Sequence, residues 1–328
     1  MQKSLFENEM LNTVQKPTLH KTDVSRGTLL FGDCLVESEK IETQTVDLIL
    51  TDLPYGTITD LYKNTSWDVV IDTEKVYKLA NRILRKNGKM VLFCQEPFTS
   101  ELKNKAIPNI PFNQRLIWEK DSSGNMLFAK KACVNFYEDI LVFSKIHNTY
   151  EEHNLKSYSL KLRNYTNYSR SKFKSELGHI RYIHLMEIST KRNQGNLCTK
   201  DVYNELIKVF GIDKMEGFKD YEELKKLNDN FKNKYPSTFN LWEGNKYKSN
   251  ILKYKKDNDG FHPTQKPILL LEDLIKTFSN ENDLVVDLTM GSGSTGVACK
   301  NTNRDFIGIE KDEKYFEIAV RRLSEYCG

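Results

Sequence analysis

An acid, a proline and an aromatic ring close a buried apolar run in Val46-Asp47-Leu48-Ile49-Leu50-Thr51-Asp52-Leu53-Pro54-Tyr55-Gly56. Groups at the carboxyl end of a strand in an open α/β sheet face the crevice where ligands bind. Each group here has a chemical use. An amino group on an aromatic ring is a poor nucleophile because its lone pair is delocalised into the ring. Two hydrogen bonds, one to the Asp52 carboxylate and one to a backbone carbonyl, favour a tetrahedral nitrogen whose lone pair can attack a methyl sulfonium. Pro54 stiffens the turn, and Tyr55 offers a face on which a flat ring can stack. Taken alone, the same residues also describe a strand-end turn capped by Asp52.

A second constellation lies near the other end of the chain, in Val285-Val286-Asp287-Leu288-Thr289-Met290-Gly291-Ser292-Gly293-Ser294-Thr295-Gly296. A strand runs into a glycine turn that opens a helix, so backbone can approach a ligand where the first helical N–H groups point outward. Glu310 follows Asp287 by 23 residues, just after the next predicted strand, where a carboxylate can accept hydrogen bonds from ribose hydroxyls. Gly291, Gly293 and Gly296 also satisfy G-x-G-x-x-G, which brings a nicotinamide dehydrogenase into consideration. Against that, only one further strand is predicted after the motif, whereas a dinucleotide site usually opens a longer βαβ series. A purely structural glycine turn is the third reading.

Positioning these groups falls to alternating elements. Between Gly27 and Lys145, apolar runs at Val46 to Leu50, Val76 to Leu84, Met90 to Phe93, Leu116 to Trp118 and Ile140 to Phe143 mix strand and helix patterns, and Asn87-Gly88 reads as a helix end before Met90. From Ile146 to Asp259 the strand rhythm disappears. Asp201 to Phe210 and Tyr221 to Phe231 read there as short amphipathic helices capped by Thr199 and Asp220. After Phe261 the rhythm resumes: helix Ile268 to Phe278, strand Leu284 to Leu288, glycine turn, helix, strand Asp305 to Ile309, final helix. The two α/β segments are predicted to share one sheet with a helical insert between them.

Composition narrows the classes. The 328 residues exceed an ordinary single domain, the 39% hydrophobic content allows a sizeable core, and no run approaches a membrane span or a signal peptide. Six scattered cysteines without C-x-x-C suggest neither a metal site nor a disulfide framework, which points to a reducing cytoplasm. The net charge of +4 is unevenly spread: residues 151–260 hold 22 Lys and Arg against 15 Asp and Glu, the rest 27 against 30. Nine tyrosines share that basic stretch. Cations interleaved with rings suit phosphate contact and base stacking, and equally suit a solvated lysine-rich surface.

Asp52 to Tyr55 resembles the D-P-P-Y motif of amino-methylating DNA methyltransferases, and Asp287 to Gly296 resembles their cofactor motif. The order, catalytic motif first and cofactor motif last, resembles the permuted β group of N6-adenine and N4-cytosine enzymes. Gly32-Asp33-Cys34, Trp67-Asp68, Tyr137 to Lys145 and Phe261-His262-Pro263-Thr264-Gln265-Lys266-Pro267 are similar to further elements of that family. Leu53 departs from the pattern by replacing the first proline, but the family uses that residue's carbonyl oxygen, which leucine retains.

The resemblance implies an α/β fold with a doubly wound, mostly parallel sheet of the S-adenosylmethionine-dependent methyltransferase type and a largely helical inserted domain. It divides the chain into an N-terminal extension (1–26), a catalytic half (27–145), a target-recognition insert (146–259) and a cofactor-binding half (260–328). It implies catalysis by Asp52, Leu53, Pro54 and Tyr55. It implies S-adenosylmethionine binding by Asp33, Cys34, Thr264, Lys266, Asp287, Gly291, Gly293, Ser294, Thr295 and Glu310, with Thr264 and Lys266 at the methionine end and Glu310 at the ribose. His262 and Gln265 are read equally as hydrogen-bonding a helix start. The implied activity is transfer of a methyl group to adenine N6 in double-stranded DNA after base flipping, aspartate in the first position being more typical of adenine enzymes. N4-cytosine, RNA or protein-amide methylation and a nonenzymatic nucleic-acid binder are the alternatives. A cytosine C5 enzyme would need a Pro-Cys nucleophile, and the chain has no such dipeptide; Cys94 reads as a buried structural thiol. A homodimer and a companion restriction nuclease are implied possibilities, with no metal and no membrane.

Overall fold

The computed structural model describes residues 21–54, 70–122, 129–131, 133–147, 153–188, 196–234, 236–241, 246–257 and 265–325. In chain order the elements are β1 (Lys21–Val24), β2 (Gly27–Phe31), α1 (Cys34–Glu37), β3 (Val46–Thr51), α2 (Thr73–Ile83), β4 (Leu84–Cys94), α3 (Phe98–Asn104), β5 (Phe112–Glu119) and β6 (Tyr137–Ser144). Helices α4 (Lys156–Thr166), α5 (Arg170–Leu177), α6 (Ile183–Met186), α7 (Lys200–Phe210) and α8 (Tyr221–Asn233) follow. The chain closes with β7 (Ile251–Lys253), α9 (Ile268–Phe278), β8 (Leu284–Asp287), α10 (Ser294–Asn301), β9 (Asp305–Glu310) and α11 (Glu313–Glu325).

The strands form one sheet in the order β1-β2-β9-β8-β3-β4-β6-β5-β7. From β2 to β4 all neighbours are parallel. Beyond them β6 runs antiparallel to β4 and to β5. The central runs are apolar on successive residues because helices cover both faces. Leu48, Leu50 and Val285 join the core under α9, α10 and α11. Val46, Ile49 and Val286 join the opposite core with α2. The two halves predicted from sequence therefore share one doubly wound sheet.

Two expectations change. Asn87-Gly88 does not end a helix: α2 stops at Ile83, and the pair lies inside β4. Asn87 takes φ 65°, and the β3–β4 register shifts between Val46 and Leu48, so the pair marks a bulge. A Cβ at Gly88 would stand 3.1 Å from the Asp47 and Val46 carbonyl oxygens, which explains glycine there. The strand rhythm also does not vanish throughout 146–259, because β7 adds to the sheet edge beside β5.

Helices α4 to α8 pack around their own core, which includes Leu162, Phe173, Leu206 and Leu224. Asp220 caps α8 in a reciprocal capping box with Glu223, whereas Thr199 sits at the start of α7 without a side-chain cap bond. The tyrosines divide. Tyr158, Tyr182 and Tyr203 are buried in this core, so much of the ring content read as stacking surface serves packing instead, while Tyr247 is 81% exposed. No helix among the described residues is long and apolar enough to cross a membrane.

Candidate active site

The carboxyl ends of β2, β9, β8, β3 and β4 lie along one edge of the sheet because these strands are parallel. Antiparallel β6 brings its first residues to the same edge, with Asp139 opposite Cys94. The end of β5 joins them, Glu119 pairing with Tyr137. Side chains far apart in sequence meet there.

Asp52 follows β3 directly. Its Oδ2 is paired with the Lys266 ammonium, and its Oδ1 is buried without a hydrogen-bond donor among the described residues. Lys266 Nζ also lies 3.1 Å from Glu138 Oε1 and 5.1 Å from the centre of the Phe93 ring. Glu138 Oε2 stands 2.8 Å from Lys120 Nζ. Its Oε1 receives no hydrogen bond among the described residues, so the contact with Lys266 is an ion pair. Burial pushes the Asp52 carboxyl up to about 6; Lys266 opposes the rise and the Glu138 charge adds to it. Burial pushes Glu138 the same way, but Lys266 and Lys120 outweigh it and hold that carboxyl below its ordinary value.

The glycine turn is built around a different carboxylate. Asp287 Oδ1 accepts from the Thr51 hydroxyl at 2.8 Å and from Thr289 N–H at 3.1 Å, and Oδ2 accepts from the Thr295 hydroxyl at 2.6 Å. Burial raises its carboxyl, and these donors act against the rise. Gly291 and Gly293 take φ 52° and 81°, a backbone that side chains rarely adopt. The Thr289 hydroxyl donates to the Asp52 carbonyl at 2.9 Å, which ties this turn to the end of β3.

Glu310 ends β9 and braces the turn, accepting from Gly291 N–H at 2.9 Å through Oε2 and from Asp312 N–H at 2.8 Å through Oε1. Burial raises its carboxyl, and those backbone donors pull against it. Gly32 N–H donates to the Glu310 carbonyl at 2.9 Å, so Asp33 stands beside it. Asp33 is exposed and caps α1 through Leu35 N–H at 2.8 Å. The Cys34 thiol is buried and pushed up to about 12 by that burial, leaving its backbone as what it can offer a ligand. Thr295 is likewise committed, to Asp287, whereas the Ser294 hydroxyl accepts from Arg322 at 3.0 Å and keeps its own O–H as a donor.

Leu53 is buried and Pro54 follows it in the irregular segment after β3. Tyr55, Trp67, Asp68, His262 and Thr264 lie outside the described residues. Lys266, expected at the methionine end of a cofactor, is placed on Asp52. Gln265 does not serve the start of α9: Ile268 N–H donates instead to Asp257 Oδ2 at 2.8 Å, and both polar atoms of the Gln265 amide are buried without partners among the described residues. Cys94 is buried as expected, receiving the Thr99 hydroxyl at 3.3 Å.

Glu138, Lys120, Thr51 and Thr289 were not singled out from sequence. A signal existed for Glu138: two acids, Glu138 and Asp139, open an otherwise apolar strand and are both buried, which asks for cations nearby.

A family model described as "DNA methylase" matches residues 46–321. "DNA adenine methyltransferase YhdJ" of Escherichia coli K12 is 27% identical over 300 residues, covering 90% of this chain and 82% of that protein. "Type II methyltransferase M2.LlaDCHI" of Lactococcus lactis is 37% identical over 112 residues, 34% of this chain and 38% of that one. Among solved structures, the M1.HpyAVI–SAM complex superposes with a TM-score of 0.51 at 20% identity, covering 90% of this chain and 98% of its own. The cytosine-N4-specific PvuII methyltransferase gives 0.50 at 13% identity, covering 93% and 88%. These two show that the fold is shared.

Proposed function

The chain belongs to the DNA methylase family that joins N6-adenine and N4-cytosine enzymes, and from that premise we propose that it transfers a methyl group from S-adenosylmethionine to N6 of adenine in double-stranded DNA. The observation that carries this reading is the unused Asp52 Oδ1 at the strand end beside the glycine turn. A buried acceptor without a donor costs about 1–3 kcal/mol, and an incoming N–H group relieves that cost. Adenine is favoured over cytosine by aspartate in the first motif position and by the name of the relative that matches across 90% of this chain.

The described residues fit the cofactor. Gly291 and Gly293 give a turn whose backbone a ligand can approach, and Glu310 and Asp33 set carboxylates at the ends of adjacent strands, suited to ribose hydroxyls and an adenine amine. S-adenosylmethionine supplies a methyl group on a positively charged sulfur. Asp52 Oδ1 and the Leu53 carbonyl accept the two N–H groups of the target, holding its nitrogen tetrahedral with the lone pair directed at that methyl. Transfer needs no covalent intermediate with the protein, and the proton that the methylated nitrogen sheds is accepted by the Asp52 carboxylate. The base reaches this crevice by flipping out of the duplex, at a cost of a few kcal/mol, and Tyr55 is the surface on which it stacks.

Helices α4 to α8 and the cationic rim after β7 supply the grip on DNA. Exposed Lys253, ion-paired with Glu119 at 3.1 Å, stands at the active edge with exposed Lys255 two residues on, and burial, then the neighbouring Lys120 cation, holds Lys256 below its ordinary value, which a phosphate partner would reverse. The setting is the cytoplasm; a second copy of the chain and a companion nuclease are compatible partners.

Labelled cofactor incubated with duplex DNA, RNA or a protein mixture tests the assignment. Label recovered as N6-methyladenine from DNA alone is the expected result. N4-methylcytosine in its place would move the base assignment, and turnover by Asp52→Ala would remove the catalytic one.

A further inference from the structure

Behind Asp52 the charged groups form one alternating chain. Lys120 Nζ stands 2.8 Å from Glu138 Oε2, Glu138 Oε1 stands 3.1 Å from Lys266 Nζ, and Lys266 is paired with Asp52 Oδ2. The four groups come from the end of β5, the start of β6, the segment before α9 and the end of β3, and their charges cancel. The Glu138, Lys120 and Lys266 side chains are only 6%, 9% and 10% exposed, so water competes little for these contacts. A lysine ammonium is a rotating point charge with three donors, and left alone beside one carboxylate it can cover either oxygen. Glu138 Oε1, 3.1 Å from Nζ, gives Lys266 a second anchor.

We infer that Glu138, braced by Lys120, is a positioning residue for methyl transfer: it holds Lys266 on Asp52 Oδ2 and so keeps Oδ1 open to the target amino group. The inference rests on the catalytic reading of Asp52 given above. It gives Lys266 a duty in the transfer step, distinct from gripping the methionine end of the cofactor.

The test is methyl transfer to duplex DNA at saturating cofactor across about pH 5 to 9, with cofactor affinity by calorimetry. The proteins are wild type, Glu138→Gln, Lys266→Met and the double variant Lys120→Gln with Glu138→Gln. The double variant carries the test if Glu138→Gln alone unfolds around an unpaired Lys120. The charges that bear on Asp52 are Lys266, Glu138 and Asp287, with Lys120 and Lys256 beyond them, and Asp287 is the same in every variant.

Glu138→Gln is expected to lose roughly tenfold or more in kcat with cofactor affinity kept within about twofold. Its acid limb should move to lower pH, because the charge that raises Asp52 is gone. Lys266→Met should move the limb to higher pH, because the cation that lowers Asp52 is gone. A packing defect alone does not move the limb in opposite directions. Wild-type kcat and limb in Glu138→Gln or in the double variant would overturn the inference. So would a Lys266→Met loss that lies wholly in cofactor affinity. An inactive wild type overturns the catalytic reading together with the inference, whereas an active wild type with unmoved variants overturns the inference alone.

Discussion

Asp52 and Asp287 stand at the ends of adjacent parallel strands, β3 and β8, and burial raises both carboxyls. Their surroundings differ. Asp287 has both oxygens engaged by three donors from Thr51, Thr289 and Thr295, all within the protein. Asp52 has one oxygen held by a lysine and the other buried without a donor among the described residues. A carboxylate with both oxygens engaged by its own chain shapes a turn, and like Glu310 it can still accept one more donor; one with an oxygen left buried without any donor is arranged for something that arrives later. The pair thus separates a residue that shapes a binding site from one that acts in it.

The strongest way to break this contrast is Asp52→Ala. Loss of the acceptor should cost roughly 10²-fold or more in kcat and leave cofactor affinity intact by calorimetry; a loss confined to affinity would make the two aspartates alike. The pH dependence sharpens the point. Asp52 is raised from 3.8 to about 6, so the acceptor is lost to protonation as pH falls through 6, and kcat should fall there too. Stability runs the other way. The folded state binds this proton more tightly than the unfolded chain, so the carboxyl destabilises the fold fully above about pH 6 and not at all below 3.8. The penalty is at most about 3 kcal/mol. Asp52→Asn should therefore melt higher than wild type at pH 7, and the two should converge near pH 4.

Asp287→Ala should do the reverse, lowering stability by about 2–4 kcal/mol because the Thr51 and Thr295 hydroxyls and the Thr289 N–H lose their shared acceptor. Its activity defect should be largely recovered by raising cofactor, and a kcat loss that persists at saturation would break the assignment of Asp287 to the turn. A smaller effect on the same side is expected from Gly308→Ala. The added Cβ would overlap Met290 Sδ and stand 2.7 Å from a Phe306 ring carbon. The thioether can move, at about 1–3 kcal/mol, and the turn should move with it, weakening cofactor binding with kcat unchanged.

Much of this was legible in the sequence for a local reason. Asp52, the glycine turn and Glu310 each follow an apolar run directly, so a strand-then-special-residue pattern points to them without knowledge of the fold. The Lys120–Glu138–Lys266 chain is invisible to that logic, because it exists only once β6 reverses direction and brings its first residues to the active edge. Asn87-Gly88 is ambiguous in sequence for a related reason: a positive-φ asparagine with glycine closes a helix or makes a bulge, and only the close approach of β3 decides which. The tyrosines of residues 151–260 show the limit of composition, since a ring under α4 and α7 and a ring on the surface count the same. Strand β7, three residues long, carries too little periodicity to be seen at all.

The subtlest prediction concerns the bond between the two regions. The Thr289 hydroxyl donates to the Asp52 carbonyl at 2.9 Å and lies 2.8 Å from the Thr51 hydroxyl, so the cofactor turn and the catalytic strand end are held by one side chain. Thr289→Val keeps the shape and removes that donor. A neutral hydrogen bond is worth about 0.5–1.5 kcal/mol net, which sets the expected loss in kcat at about three- to tenfold if the bond orients Asp52 in the transition state. Cofactor affinity should change less than kcat, because Asp287 and its remaining donors still define the turn. In a double-mutant cycle with Asp52→Asn, the two losses should be less than additive, since removing the carboxylate removes the reason for orienting it. Full additivity would mean that Thr289 serves the turn alone, and that the two aspartates work as independent neighbours rather than as parts joined by this hydroxyl.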